Sequence, residues 1–474
     1  MSKTLQRVLA TLVVIALLVI LLAWLGPRLL GGNVGARLAA RVSDAVGMQV
    51  SVAGPVTLRL FPRLHLTLED VRIRNRGVDV AAVAEVQLGV GLPALLHKDI
   101  AVEGIRFAGA KVRIERAKGG RFNIEGAAGA PSATTISAQV GRVSFSDSSL
   151  IYKDAQLAND FTAEHCNVEL KGLQLTPRSS PDLFAALSFS GELACEHMRT
   201  NNLAAANIKS TLTATEGVLK FAPVALEIFG GRGSGVLTAD FTGAEPVYHL
   251  RAAIEKLQVA DFSETVKATT IAKGALDFSA DLTMHGAPNV PVMRSASGEA
   301  SLHGSNLVLE IGDLDKELSR YESTQSFNLV DLGAFFLAGP LGVAVTKGYD
   351  YARILKRAPG STSIRTLLSQ WHVEAGVAQA QDVALATAAN RIAMHGGLDF
   401  VDGTYQDVTI ALVDAQGCAR VVQKIRGSFR NPVIDRPSVV STLTGPVRRL
   451  VNKGKSLLGS KCPVYYSGSV PAPP

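Results

Sequence analysis

The chain has 474 residues, in which 48 Lys and Arg stand against 41 Asp and Glu for a formal charge of +7, and 47% are hydrophobic, 6% aromatic and 19% charged. That balance excludes a disordered chain, which needs few apolar residues and many uncompensated charges. The 44 Gly and 20 Pro follow no triplet repeat, so a collagen-like rod is excluded as well. The length allows roughly two to four ordinary domains.

Residues 1–7 read as a cytoplasmic tail and residues 8–27 as a transmembrane signal anchor. From Val8 to Leu25 no residue is charged, which gives about 27 Å of helix against a hydrocarbon core of roughly 30 Å. Val8, Ile15, Leu18, Leu22 and Leu25 supply the apolar surface and Trp24 an interfacial aromatic, while Gly26-Pro27 ends the helix. A cleaved signal peptide is the alternative, but its apolar region is shorter and is followed by a small-x-small site that Leu22-Ala23-Trp24-Leu25-Gly26 lacks.

Beyond the anchor, apolar and polar residues alternate with period two, the pattern of strands with one dry and one wet face. Leu64, Leu66 and Leu68 alternate with His65, Thr67 and Glu69. Leu250 and Ile254, then Leu276, Phe278 and Leu282, then Trp371 and Val373 repeat the pattern. Turn signals such as Asn75-Arg76-Gly77 and Asp402-Gly403 separate the runs, as in adjacent hairpins. Helical signals are few: Arg37–Val46, Leu92–His97, Leu314–Tyr321, Tyr349–Arg357 and Val447–Leu458.

These shifts of pattern divide the soluble part into an N-terminal β-groove start (28–126), a small-residue linker (127–135) and a middle groove (136–309). An insertion with helical and apolar character (310–360), containing the uncharged Leu332–Thr346, precedes a C-terminal groove end (361–470), and Pro471–Pro474 reads as a loose tail. The expected fold is mainly β: one transmembrane helix, then a long curled antiparallel sheet forming a groove, with a few short helices. About 25 strands at ~4.8 Å would run to about 120 Å, bent by twist into a trough with its dry face inside. A closed sandwich is the competing arrangement. An open trough exposes more apolar area than a monomer tolerates without a greasy ligand. Leu64, Leu66, Leu68, Leu250, Ile254, Leu276, Phe278, Leu282, Trp371 and Val373 are the candidate lipid-groove residues.

Cys166, Cys195, Cys418 and Cys462 allow three connectivities, of which Cys166–Cys195 with Cys418–Cys462 closes the shorter loops. A metal site is disfavoured, because on a strand His165 and Cys166 point to opposite faces. Arg448, Arg449, Lys453 and Lys455 lie on a basic amphipathic segment suited to an anionic membrane surface or to solvent. Gly454-Lys455-Ser456 lacks the upstream Gly of a phosphate-binding loop, and Gly230–Gly235 suits a tight hairpin. No GxSxG or HExxH is present, so neither an enzyme nor a cofactor is expected. Without basic–aromatic interleaving, nucleic acid is an improbable partner despite the charge of +7.

Gly47–Val56, Phe61–Leu66, Glu69–Ile73 and Gly120–Asn123 resemble, in that order, the start of the AsmA family of bacterial proteins anchored in the inner membrane. Asp414–Ala419, Lys424–Pro432 and Cys462–Val470 are similar to the family's closing strands. The resemblance implies a groove of repeated β-structure, like that of bridge-like lipid-transfer proteins, and a role in outer-membrane biogenesis. It places a single-pass chain in the inner membrane with its N-terminus cytoplasmic and its bulk in the periplasm. Phospholipid acyl chains, the inner membrane and outer-membrane assembly proteins are the implied partners. A scaffold or adaptor acting on outer-membrane protein assembly or targeting is the alternative role.

Overall fold

The computed structural model describes residues 39–40, 43, 47–59, 64–90, 102–124, 138–155, 159–175, 186–200, 203–265, 272–286, 292–310, 313–316, 318, 360–429, 431–435, 438–439 and 462–474. The anchor (Val8, Ile15, Leu18, Leu22, Trp24, Leu25), the linker at 127–135, Leu332–Thr346 and the basic segment with Arg448, Arg449, Lys453 and Lys455 lie outside the described residues. Among the described residues no helix is long and apolar enough to cross a membrane. They are mainly β, with 23 strands in mixed sheet and few helices. The chain packs as two units, one of Met1–Glu227, Ser234–His249 and His285–Val290, the other of Ile228–Gly233, Leu250–Met284 and Pro291–Pro474.

In the first unit β3 (Leu64–Asn75) pairs with β4 (Val78–Val90), and β4 with β5 (Val102–Ala108) and β6 (Lys111–Arg116). Then β7 (Ala138–Asp154), β8 (Asn159–Leu175), β9 (Leu187–Thr200) and β10 (Ala204–Thr215) follow as an antiparallel meander. The sheet is not the wholly antiparallel one that the sequence predicts: β7 runs parallel to both β5 and β6. A parallel pair cannot be joined by a tight hairpin, the connection that alternation with short turn signals leads one to expect.

Strict alternation fails once in most of these strands, at one level of the sheet. Asp70, Asp147, His165 and Asn207 take positive φ of 48°, 47°, 50° and 52°, and Gly109 between β5 and β6 takes 62°. Each inserts one residue and shifts the phase, as β-bulges do. In β7 the apolar series is Val143 and Phe145 before Asp147, then Leu150 after it; in β8 it is Ala163 before His165, then Cys166, Val168 and Leu170. Asp, Asn and His are the non-glycine residues that best tolerate this conformation, which is why they stand there.

The second unit closes on a dense core. Leu307, Leu309, Ile364, Leu367, Leu385, Ile392, Val408 and Ile410 are each 0% exposed. A short helix α1 (Val259–Thr265) adds Val259 and Phe262 to this core, and Leu314 and Leu318 join it. Among the strands that carry it are β17 (Thr362–Glu374), β18 (Val377–Ala386), β19 (Arg391–Asp399) and β20 (Thr404–Val413). In β18–β20 the second face is apolar too: Ala384, Ala386, Ala393 and Val413 form a separate cluster with Tyr466 and Val470 of the C-terminal segment. The residues before Pro471 are therefore not loose. Tyr465 is driven up to about 12 by burial, which outweighs its hydrogen bonds. Burial also raises the Asp382 carboxyl, but bonds from Tyr466 and Ser469 outweigh it and hold the group below its ordinary value.

Candidate functional site

Residues paired across strands share a face, so the register of the first unit assigns its two surfaces. One row reads Leu66, Leu88, Ile105, Val143, Leu170, Gly191 and Leu212. The next reads Leu68, Val86, Phe107, Phe145, Val168, Leu193 and Ser210. Past the bulges the same face continues through Ala81, Val112, Leu150, Ala163, Met198 and Ala205. The phase shifts thus keep one side of seven strands apolar.

Burial grades along this face. Leu88, Ile105, Phe107 and Val143 are 0–3% exposed, and Phe107 stacks on Phe145 with centroids 4.8 Å apart. On β7–β9 eight large side chains are only half-buried: Phe145, Leu150, Phe161, Val168, Leu170, Phe189, Leu193 and Met198. Leu226 packs beside them, against the cluster of Cys166, Cys195 and Ile208. Cys166 and Cys195 form a disulfide across β8 and β9 with Cα atoms 4.0 Å apart, and a second bridge joins Cys418 to Cys462.

The opposite face is polar, and the hollow of this unit borders it. A cavity of about 1430 Å³ is lined by the row Gln87, Arg106, Ser144, Glu169, Glu192 and Thr211, with Gly89, Gly104 and Gly141 leaving backbone bare. Apolar-row residues Ile105, Phe145, Val168 and Leu193 also border it. Glu169 and Glu192 stand directly opposite one another, an unfavourable pairing. Arg142 at 3.5 Å and Lys171 at 3.4 Å offset it from the Glu169 side. This hollow is thus bordered by the polar row and by residues of the apolar rows together.

The candidate groove residues divide between two environments. In the first unit Leu66 is half-buried and Leu68 buried on the apolar face; the side chain of Leu64 lies outside the described residues. In the second unit Leu276, Leu282, Trp371 and Val373 are 7%, 8%, 3% and 4% exposed within the core, and Ile254 and Phe278 pack against it; Leu250 is half-buried. The half-buried block on β7–β9 was missed in the sequence because Asp147 and His165 change the phase within each strand. The legible signal was a polar residue tolerant of positive φ, flanked by alternations of opposite phase.

His165 lies across from the disulfide's face. It forms an exposed pair with Asp147 at 2.7 Å, and the hydrogen bond its Nδ1–H donates to that carboxylate, with the charges of Asp147 and Glu196, raises the imidazole above its ordinary value. Its stabilising contribution is complete below the unfolded-state value of about 6.5 and is lost as pH rises through the folded-state value. An NMR titration should place His165 above 6.5 and Asp147→Asn should bring it down; an unchanged midpoint in the variant would remove Asp147 as the cause. Among the described residues no group of three or more His, Cys, Asp or Glu is placed to hold a metal.

The first unit is thus a disulfide-pinned β-sheet with one apolar and one polar surface. Residues 1–195 match the model of the AsmA family. No curated protein matches the chain.

Proposed function

We propose that the protein is a non-enzymatic, membrane-associated factor of outer-membrane biogenesis that holds and moves phospholipid along the apolar face of its sheet. The observation that carries this reading is the contiguous half-buried apolar block on β7–β9, supported by the match of residues 1–195 to the AsmA family model. A diacyl lipid crossing water exposes some thirty methylenes at ~0.8 kcal/mol each. An apolar strip removes that cost without chemistry. In this reading residues 8–27 anchor the chain in a bacterial inner membrane, the N-terminus is cytoplasmic, the bulk is periplasmic, and the basic segment from Arg448 to Lys455 meets an anionic surface.

Purified full-length protein should carry phospholipid detectable by native mass spectrometry. Val168→Asp or Leu193→Asp should reduce bound lipid at least ~10-fold, since a carboxylate would face the acyl chains without a partner, while Ser144→Asp on the opposite face should not. Equal loss in all three variants, or no lipid in the wild type, would remove the reading.

A scaffold role is the second reading, favoured by the polar hollow. Its mixed charges, Arg106 and Lys209 beside Glu169 and Glu192, suit a protein surface better than an acyl chain. If this face is the working one, Arg106→Glu with Glu192→Lys should abolish protein partners recovered from envelope extracts and leave bound lipid unchanged.

A further inference from the structure

The two disulfides differ in what can reach them. Cys166 and Cys195 are 8% and 4% exposed. Cys462 is exposed, Cys418 half-buried, and nearby Val464 is 60% exposed. What the accessible bridge holds is the C-terminal segment 462–474. The N–H groups of Tyr465 and Tyr466 donate to the Gly417 carbonyl at 2.8 and 3.0 Å. The Asp382 carboxylate accepts from the Tyr466 hydroxyl at 2.6 Å and from the Ser469 N–H and hydroxyl at 2.7 Å each. The Val470 N–H donates to the Tyr466 hydroxyl at 3.0 Å, and buried Arg391 donates to the Val470 carbonyl at 3.1 Å.

Two glycines permit this close approach. A Cβ on Gly417, which has φ of +83°, would stand 2.1 Å from the Tyr466 carbonyl oxygen, and one on Gly468 would stand 2.3 Å from an Asp382 oxygen. Beneath the segment lie Ala384, Ala386, Ala393 and Val413, each 0–4% exposed. The segment is a clip over a second apolar face of β18–β20, latched at Cys462 by its bond to Cys418.

We propose that Cys418–Cys462 is a redox modification site addressed by a dithiol reductant, and that its reduction unlatches residues 462–474 from β18–β20. One thiol of the reductant, as thiolate, attacks Sγ of exposed Cys462. The S–S bond breaks, and its electron pair leaves on Sγ of Cys418, which takes a proton. The second thiol attacks the mixed disulfide and releases Cys462 as a thiol, so the reductant ends as a cyclic disulfide after giving two electrons and two protons. Cys166–Cys195 escapes because attack needs access to a sulfur. The bridge spans 44 residues of sequence, so cutting it restores chain freedom that the remaining hydrogen bonds must hold down alone.

The test treats the full-length protein in detergent micelles with dithiothreitol, alkylates it, and follows hydrogen exchange by mass spectrometry. Cys418 and Cys462 should alkylate while Cys166 and Cys195 stay bonded. The amides of Tyr465, Tyr466, Ser469 and Val470 should then exchange faster, on the order of 30-fold or more, with amides of β20 unchanged. Cys462→Ala should reproduce this without reductant; should that variant fail to fold, reduction of the folded wild type decides. Asp382→Asn, with the bridge intact, should speed Ser469 and Val470 but not Tyr465 and Tyr466. The proposal is overturned if all four cysteines alkylate together, if the clip amides stay protected once Cys418 and Cys462 are reduced, or if β20 opens with the clip.

Discussion

Trp371→Ala is expected to destabilise the second unit by about 3–5 kcal/mol and to leave phospholipid binding unchanged. The indole is 3% exposed, and its N–H donates to the Ser369 hydroxyl at 2.7 Å, with Ser369 itself 1% exposed. It sits in the core with Leu302, Leu367 and Val373, so truncation leaves a cavity that rigid neighbouring strands cannot fill. By alternation alone the same residue looks like a groove lining. The two roles separate cleanly in a pair of measurements: urea dependence of hydrogen exchange in β17–β20, and bound phospholipid by native mass spectrometry. A large drop in lipid with an unchanged urea midpoint would make Trp371 a contact for acyl chains and not a core residue.

That contrast shows what alternation can and cannot reveal. Leu64–Glu69, Leu276–Leu282 and Trp371–Val373 were legible as strands because a half-wet sheet imposes period two wherever no bulge intervenes. Alternation says that a face is dry, not what covers it. In the second unit the cover is other strands, α1 and Leu314 with Leu318. In β18–β20 the pattern gives way to unbroken buried runs, Val383–Thr387 and Ile410–Val413, because the C-terminal clip closes the second face. No local feature of β18 announces a partner some eighty residues downstream.

The first unit hid its continuity in another way. Its apolar face is built of odd-numbered residues before Asp147 and even-numbered ones after it, and the order reverses at Asp70, with Leu66 and Leu68 before the bulge and Val71 and Ile73 after it. The parallel pairing of β7 with β5 and β6 is equally silent in sequence, since alternation within a strand does not say in which direction its neighbour runs. The disulfide pairs, by contrast, followed the shorter-loop expectation, because Cys166 and Cys195 are carried by neighbouring antiparallel strands.

Asp154→Ala is expected to cost the first unit about 3–5 kcal/mol, the range for breaking a buried ion pair from one side. The Asp154 side chain is 1% exposed and the Arg116 side chain 19%, with the guanidinium 3.2 Å away. The Tyr152 hydroxyl donates to the same carboxylate at 2.8 Å; burial first, then this bond, raises the phenol far above its ordinary value. Arg116 also lies over the Phe122 ring at 5.5 Å, and its Nε is buried without a hydrogen-bond partner. Removing the carboxylate would strand a cation that already has one unmatched donor. The three groups tie β6 to β7 where the two run parallel, so hydrogen exchange should quicken in both strands of Asp154→Ala. Asp154→Asn, which keeps an acceptor but loses the charge, should fall between wild type and the alanine variant. If exchange in β6 and β7 is unchanged in Asp154→Ala, the ion pair contributes nothing to the parallel junction, and the apolar rows alone hold it.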